Sequence, residues 1–293
     1  MPTFGRLSLV SLLVAALAFV SGCKKEEPFV GGKPRKPITS VVSLSPSTTE
    51  IFATYGNSQT LRGKTGACNY PGGLELAEVV VTTKPDFEKI AALQPQLVLY
   101  DESLYSEAEI EKIKALGAEV LALKPTSVES MIDYCYRVGR TQVDPMRLND
   151  YVQKVRAAMS LASANPPPAG TSAAVLIGNP REGEYYIAGV NTYQADLIRI
   201  SGAEPKGPDA NKFVPLNVET LLQWNPTILI TTKDNAINIA RDPRLKSLGA
   251  IQKNRVAEMD PDVLLRAGAR ADRAITVVSG LLESLSRPQN PSP

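Results

Sequence analysis

Histidine is missing from this 293-residue chain altogether. That absence removes Ser-His-Asp and Cys-His catalytic machinery, imidazole-ligated zinc or haem, and any imidazole pH switch. Tryptophan occurs once, cysteine three times, and aromatics make up only 6% of the residues. An excess of charge is lacking too: 32 Lys and Arg stand against 30 Asp and Glu, a formal net charge of +2. Nucleic-acid binders normally show a clustered basic surface, so no nucleic-acid partner is expected. Carboxylate, Tyr, Lys and Cys chemistry stay open, which leaves enzymes disfavoured rather than excluded. At 43% hydrophobic and 21% charged, the composition is that of an ordinary globular chain. Its length suits about two domains.

The first 22 residues hold one charge, Arg6, and a mostly apolar run of 14 residues from Leu7 to Val20. Such a run fits the core of a signal peptide and is short for a membrane span. It ends in Val20-Ser21-Gly22-Cys23, small residues leading into a cysteine, and this resembles the bacterial lipobox. The expectation is removal of residues 1–22 and lipidation of Cys23, each buried CH₂ adding about 0.8 kcal/mol of membrane affinity. The alternative is a plain secretory signal with an incidental Cys23. Either way the protein is exported; with lipid it is anchored on the extracytoplasmic side of a membrane. Residues 23–37 read as a flexible tether and residues 286–293 as a disordered tail, both rich in Pro and polar residues. Cys68, in a loop, and Cys135, in a helical stretch, can pair in an oxidising compartment or stay free.

From Ile38 onward short apolar runs alternate with helical stretches. Strands are expected at Val41–Leu44, Val79–Val81, Gln96–Tyr100 and Glu119–Leu123. Helices are expected at Ser47–Tyr55, Phe87–Leu93 and Glu107–Leu116, the last closed by Gly117. The pattern returns after residue 170. Strands are expected at Ala173–Ile177, Thr227–Thr231 and Arg255–Met259. Helices are expected at Thr192–Ser201, Val218–Trp224, Pro243–Leu248 closed by Gly249, and Ala271–Leu285. Strand–helix alternation of this kind argues for an α/β fold with mainly parallel central sheets.

The halves match residue by residue. Asp86-Phe-Glu88 leading to Pro95-Gln-Leu97-Val-Leu99 parallels Asn217-Val-Glu219 leading to Pro226-Thr-Ile228-Leu-Ile230, with seven positions from Glu to Pro in each. Glu50-Ile-Phe…Gly56 likewise parallels Asp196-Leu-Ile…Gly202. Two copies are too few for a solenoid; they indicate two related lobes. Between them Asp144-Pro145 opens a stretch without Gly or Pro to about Ala164. Some 20 residues at ~1.5 Å rise make a stiff bridge of roughly 30 Å. The expected organisation is an N-terminal lobe at 38–142, a backbone helix at 143–165 and a C-terminal lobe at 171–285, with a ligand cleft between the lobes.

Several segments resemble the substrate-binding lipoproteins of bacterial ABC importers with a helical backbone, the branch that includes vitamin B12, haem and ferric-siderophore binders. They are Ile38-Thr-Ser-Val-Val-Ser-Leu-Ser-Pro-Ser-Thr-Thr-Glu50, Cys68-Asn-Tyr-Pro71, Leu116-Gly-Ala-Glu-Val120, Ala188-Gly-Val-Asn-Thr192, Asp242-Pro-Arg-Leu and Arg266-Ala-Gly-Ala-Arg270, besides the two Glu-containing repeats. The cobalamin-binding members are most similar, over residues 38 to 285. The chain departs at Val79-Val-Val-Thr-Thr-Lys-Pro85, where the family often has Gly-Gly, and at Gly268-Ala269-Arg270, in place of Gly-Pro-Arg. The resemblance implies a monomeric receptor, not an enzyme, which captures a corrinoid and hands it to the importer's transmembrane subunits. It implies no cofactor or bound metal of the protein's own, since any metal arrives inside its chelator. A ferric siderophore or haem on the same fold is the nearest rival; without His, haem ligation falls to Tyr. A lipid-anchored carboxylate-dependent hydrolase is the rival from another class, and no close carboxylate pair supports it.

Glu88 and Glu219 each fall in the first turn of a helix behind an Asp or Asn cap. Helix-start electrostatics alone explains an acid there, at about 0.3–1 kcal/mol. The resemblance implies more, one exposed docking carboxylate per lobe for Arg residues of the membrane subunits. Ligand contacts are expected where strands end, at Tyr70, Tyr100, Asp101, Tyr185, Tyr186, Asn191 and Tyr193, because aromatic rings with polar tips suit a bulky amphipathic ligand. Trp224 aligns with Leu93 and reads as core. Gly178-Asn-Pro-Arg-Glu-Gly183 lacks the spacing of a phosphate loop, and Ser45-Pro-Ser47 is not a nucleophile elbow.

Overall fold

The Glu-containing repeat of the two halves folds into the same helix-to-strand unit in each, capped by Asp86 and Asn217. The computed structural model describes residues 37–141, 144–179, 184–233 and 235–287. The expected signal segment, Cys23, the tether apart from Pro37 and residues 288–293 of the tail lie outside the described residues, and Ser286, expected in the tail, ends the last helix. In the first lobe come β1 (Val41–Ser43), α1 (Pro46–Tyr55), β2 (Leu61–Thr65), β3 (Glu78–Val81), α2 (Phe87–Ala92), β4 (Leu97–Asp101), α3 (Glu107–Lys114), β5 (Glu119–Leu123) and α4 (Val128–Gly139). The bridge is α5 (Pro145–Ala164). The second lobe holds β6 (Ser172–Asn179), β7 (Glu184–Ala188), α6 (Tyr193–Ile200), β8 (Glu204–Pro205), β9 (Phe213–Pro215), α7 (Val218–Trp224) and β10 (Ile228–Thr232). It is completed by α8 (Ala236–Arg241), α9 (Gly249–Gln252), β11 (Val256–Met259), α10 (Pro261–Leu264) and α11 (Ala271–Ser286).

The first sheet is wholly parallel in the order β3-β2-β1-β4-β5. The second runs β11-β10-β6-β7-β9, with β8 also on β6; its β6–β7 and β7–β9 pairs are antiparallel and the rest parallel. β1 and β4 are buried along their whole length, as expected of strands covered on both faces.

Alternation along those strands separates two cores in each lobe. Val42, Leu44, Val98 and Tyr100 pack outward against Ile90 and Ile113. Val41, Leu97 and Leu99 face inward, onto Ile51, Met131 and α5. In the second lobe Ala174, Leu176 and Leu229 build the outer core with Leu221 and Leu248. Its inward residues Ala173, Val175, Ile228 and Ile230 join the same cluster as the inner face of the first lobe. One continuous core therefore runs through both lobes, with Leu148, Tyr151, Val152 and Val155 of α5 on the buried side of the bridge. Each such side chain contributes about 1.5–3 kcal/mol on burial.

The repeat extends to the backbone. Asp86 and Asn217 cap α2 and α7 by accepting from Lys89 N at 3.1 Å and Thr220 N at 3.0 Å. Both helices are followed by a left-handed residue, Gln94 at φ 44° and Asn225 at φ 41°, then by Pro and the strands β4 and β10. Gly117 and Gly202 have φ of 74° and 80°, where a side chain would be strained.

Two expectations need correction. Pro243–Leu248 forms turns rather than a helix, and Gly249 starts α9 instead of closing anything. Asp242 accepts from Arg244 N at 2.9 Å, which fixes a turn, and Gly249 N is taken by Asn225 Oδ1 at 2.9 Å. Leu44 likewise lies just beyond β1. Cys68 and Cys135 do not pair: each is free and buried.

Candidate functional site: the facing rims of two lobes

Loops that follow strands emerge at the carboxyl edge of a sheet. The loop after β2 carries Ala67 to Pro71, and the loop after β11 leads through α10 to Leu265–Arg270. These two meet, so the carboxyl edges of the two sheets face one another. Their contact is built on Glu50 of α1. Its side chain is 1% exposed, with Arg266 Nη1 at 3.0 Å and Arg270 Nη2 at 2.5 Å from Oε1. Arg266 also donates to Asn69 Oδ1 at 2.6 Å and Ala67 O at 3.1 Å, and pairs with Asp262 at 2.5 Å. Asn69 Nδ2 in turn donates to Asp262 Oδ2 at 2.8 Å. Two cations and two anions thus close a neutral, charge-assisted network across the lobes.

Two further contacts fit the network into the interface. A Cβ on Gly268 would lie 2.6 Å from Glu50 Oε2, so only glycine lets this backbone approach the buried carboxylate. Tyr151 of α5 donates to Gly268 O at 2.5 Å and accepts from Ala271 N at 3.2 Å, which ties the bridge to the same loop. The hydroxyls of the Ser-Pro-Ser-Thr-Thr segment turn inward. Ser43, Ser45 and Thr48 are linked at 2.7–2.8 Å, and Thr49 receives the Cys68 thiol at 3.1 Å. That thiol, within 3.2 Å of Thr65 Oγ1 as well, anchors the loop bearing Tyr70.

The expected ligand contacts divide. Tyr70 is half-buried at the rim, its ring 4.6 Å below the Arg270 guanidinium. Tyr100 is 3% exposed and Tyr193 0%, so both have core positions and offer no surface to a ligand. Asp101 is also buried, its carboxylate accepting from Ser103 N at 2.9 Å and Ser103 Oγ at 2.6 Å; burial nonetheless raises its pKa. Asn191 is exposed, but its amide is held by Asp209 at 2.7 Å. Tyr186 is exposed, while Tyr185 is buried in the outer core of the second lobe.

Tyr185 belongs to a second polar cluster. Arg244 lies 5.4 Å over its ring and grips Asp242 with Nε at 3.1 Å from both oxygens and Nη2 at 2.7 Å. That grip holds the Asp242 carboxyl down at about 2, whereas burial and then the Asp242 hydrogen bond push the Tyr185 phenol up to about 12. Glu88 and Glu219 occupy the same second position in α2 and α7, both exposed. Among the described residues neither carboxylate has an ion-pair or hydrogen-bond partner. Among the described residues, no group of three or more Cys, Asp or Glu side chains is arranged to hold a metal ion.

Glu50, Arg266, Arg270, Asn69 and Asp262 were not picked out as functional by the sequence. Glu50, Asn69, Arg266 and Arg270 each fall in a family-like segment, but nothing in the sequence joined those segments.

Comparison with known proteins gives this architecture a context. An uncharacterized ABC transporter substrate-binding lipoprotein, YvrC of Bacillus subtilis (strain 168), is 24% identical over 257 residues, covering 86% of this chain and 81% of its own. A vitamin B12-binding protein of Vibrio parahaemolyticus is 24% identical over 267 residues, with 86% and 92% covered. The crystal structure of the periplasmic vitamin B12 binding protein BtuF of Vibrio cholerae superposes with a TM-score of 0.76 at 19% identity, covering 86% of this chain and 99% of that one. The periplasmic heme-binding protein BhuT, in complex with two hemes, reaches 0.73 at 20% identity, with 85% and 99% covered. The sequence profile described as periplasmic binding protein matches residues 41–263. With two α/β lobes on a helical bridge and most of its length matched by that profile, the chain belongs to the periplasmic binding protein family.

Proposed function

We propose that this protein, an extracytoplasmic substrate-binding component of an ABC transporter, captures a corrinoid of the cobalamin type between its lobes and presents it to the transporter's membrane subunits. The observation that carries the ligand reading is the likeness over 267 residues to a vitamin B12-binding protein. Tyr70 supports it by combining a half-exposed ring with a fixed position under Arg270, at the rim where the lobes meet. Cys23 is the site of lipid attachment, and the protein works as a monomer. Glu88 and Glu219, exposed and unpartnered on equivalent helices, are the docking carboxylates for a transporter with two membrane subunits.

The test is direct. Protein comprising residues 24–293 is mixed in turn with cyanocobalamin, dicyanocobinamide, hemin and a ferric tris-catecholate, then passed through gel filtration. Corrinoid absorbance should co-elute with the protein. Retention of hemin or the iron chelate, with no corrinoid retained, would show the ligand reading to be wrong. Glu88→Ala with Glu219→Ala should abolish uptake and leave ligand affinity intact; an equal loss of affinity would move both residues into the pocket.

A further inference from the structure

The two docking carboxylates sit in unequal surroundings. Val218, immediately before Glu219, forms with Pro215 and Leu216 one wall of a cavity of ≈ 220 Å³ whose other sides come from Tyr185, Tyr186 and Glu184. At the equivalent place in the first lobe, immediately before Glu88, stands Phe87. Its ring packs on the outer core with the Lys112 ammonium 5.3 Å from its centre. One lobe has a bulky, covered ring where the other has a small side chain and a hollow.

The chemistry of the hollow indicates its occupant. Arg244 reaches its edge, but Asp242 neutralises that charge through both carboxylate oxygens. Among the described lining residues the remaining charge is the exposed carboxylate of Glu184, and the exposed Glu219 follows Val218 directly in the chain. Pro215, Leu216 and Val218 add an apolar wall, and Tyr186 an exposed ring. A long side chain with an apolar stem and a cationic head meets all three features, and a planar guanidinium stacks on aromatic faces better than an ammonium does.

We propose that this cavity is a docking socket, filled by an arginine-bearing extracytoplasmic loop of the transporter's membrane subunit beside the ion pair made by Glu219. The inference rests on the docking role of Glu219 and deepens it: the second lobe grips its subunit, whereas the first makes only a surface ion pair. It also gives Tyr185 and Tyr186 to the partner rather than to the ligand.

Val218→Phe, which copies the residue of the first lobe, plugs the socket. Binding to the purified transporter in nanodiscs is measured by surface plasmon resonance, beside cyanocobalamin affinity by calorimetry. Val218→Phe should weaken transporter binding roughly tenfold, the equivalent of about 1.4 kcal/mol, with ligand affinity unchanged. Glu184→Lys, on an exposed side chain, carries the same expectation without altering packing. If both variants bind the transporter like wild type while Glu219→Ala does not, the socket is refuted and the docking carboxylate stands. If Glu219→Ala also binds normally, the docking reading fails and the socket with it. A loss of cyanocobalamin affinity in Val218→Phe at unchanged transporter binding would assign the cavity to the ligand and overturn the proposal.

Discussion

Replacing Glu50 by Gln removes one charge from the network between the lobes and keeps its shape. The carboxylate is 1% exposed and faces two guanidiniums that are 12% and 15% exposed. Removing one partner of a buried pair costs about 3–5 kcal/mol, because the remaining charge is left uncompensated. Here the lower end applies. Arg266 keeps Asp262, Asn69 and Ala67 O, and Arg270 keeps Asp262 O at 3.1 Å and the Tyr70 ring. The expected loss is therefore about 3 kcal/mol, which lowers Tm by roughly 6–12 °C in a body of this size. Urea unfolding followed by circular dichroism measures it. Gly268→Ala should cost about 1–3 kcal/mol alone, since its Cβ would lie 2.6 Å from Glu50 Oε2. That cost should shrink in a Glu50→Ala background, where the opposing carboxylate is gone, so the two changes are coupled. A Glu50→Gln variant within about 0.5 kcal/mol of wild type, the scatter of ordinary surface substitutions, would refute the idea that this network joins the lobes.

Other expectations follow from the same structure. Tyr70→Ala should weaken corrinoid binding about tenfold, near the 1 kcal/mol scale of an aromatic contact, with Tm unchanged within error; equal affinity would remove Tyr70 from the site. Leu148→Ala, on the buried face of α5, should cost about 2–4 kcal/mol. Because one core serves both lobes, unfolding seen by Trp224 fluorescence in the second lobe and by Cys135 thiol exposure in the first should coincide, and separate midpoints would contradict the shared core. In alkali, Tyr55, Tyr105, Tyr134, Tyr151, Tyr185 and Tyr193 resist ionisation because burial raises each phenol, that of Tyr185 to about 12. A raised pKa stabilises the fold fully below the unfolded value near 10. That stabilisation is lost as pH climbs through the folded values. Phenolate absorbance should therefore appear in two stages, the second together with unfolding, and a single smooth titration near pH 10 would overturn the assignment.

Much of the fold was legible because buried parallel strands write themselves as apolar runs and Asx caps mark helix starts. The Glu88 and Glu219 repeat was read correctly for that reason, down to matching caps. β2 was not, because Leu61-Arg-Gly-Lys-Thr65 alternates buried with open positions and depends on Gly63, whose Cβ would meet Leu93 Cδ1 at 2.9 Å. The antiparallel β7 and β9 were missed as well; β7 has five residues, of which three are buried, and β9 has only three residues. Among the site residues, Tyr193 shows how a strand-end rule misleads. It does follow a Thr cap, but with Leu197 four residues on it forms the buried face of α6. That i, i+4 pairing was available in the sequence. The Glu50 network was not, since nothing local ties a helix acid to arginines 216 and 220 positions away.

That separation also orders events in time. A chain exported through a membrane emerges with its N-terminus first. Glu50 then stands without its ion-pair partners until Arg266 and Arg270 arrive, 216 and 220 positions later. Folding contacts of such long range form slowly and late. The clasp that joins the two lobes is therefore among the last contacts the chain can make, and it couples the end of the polypeptide to its first helix.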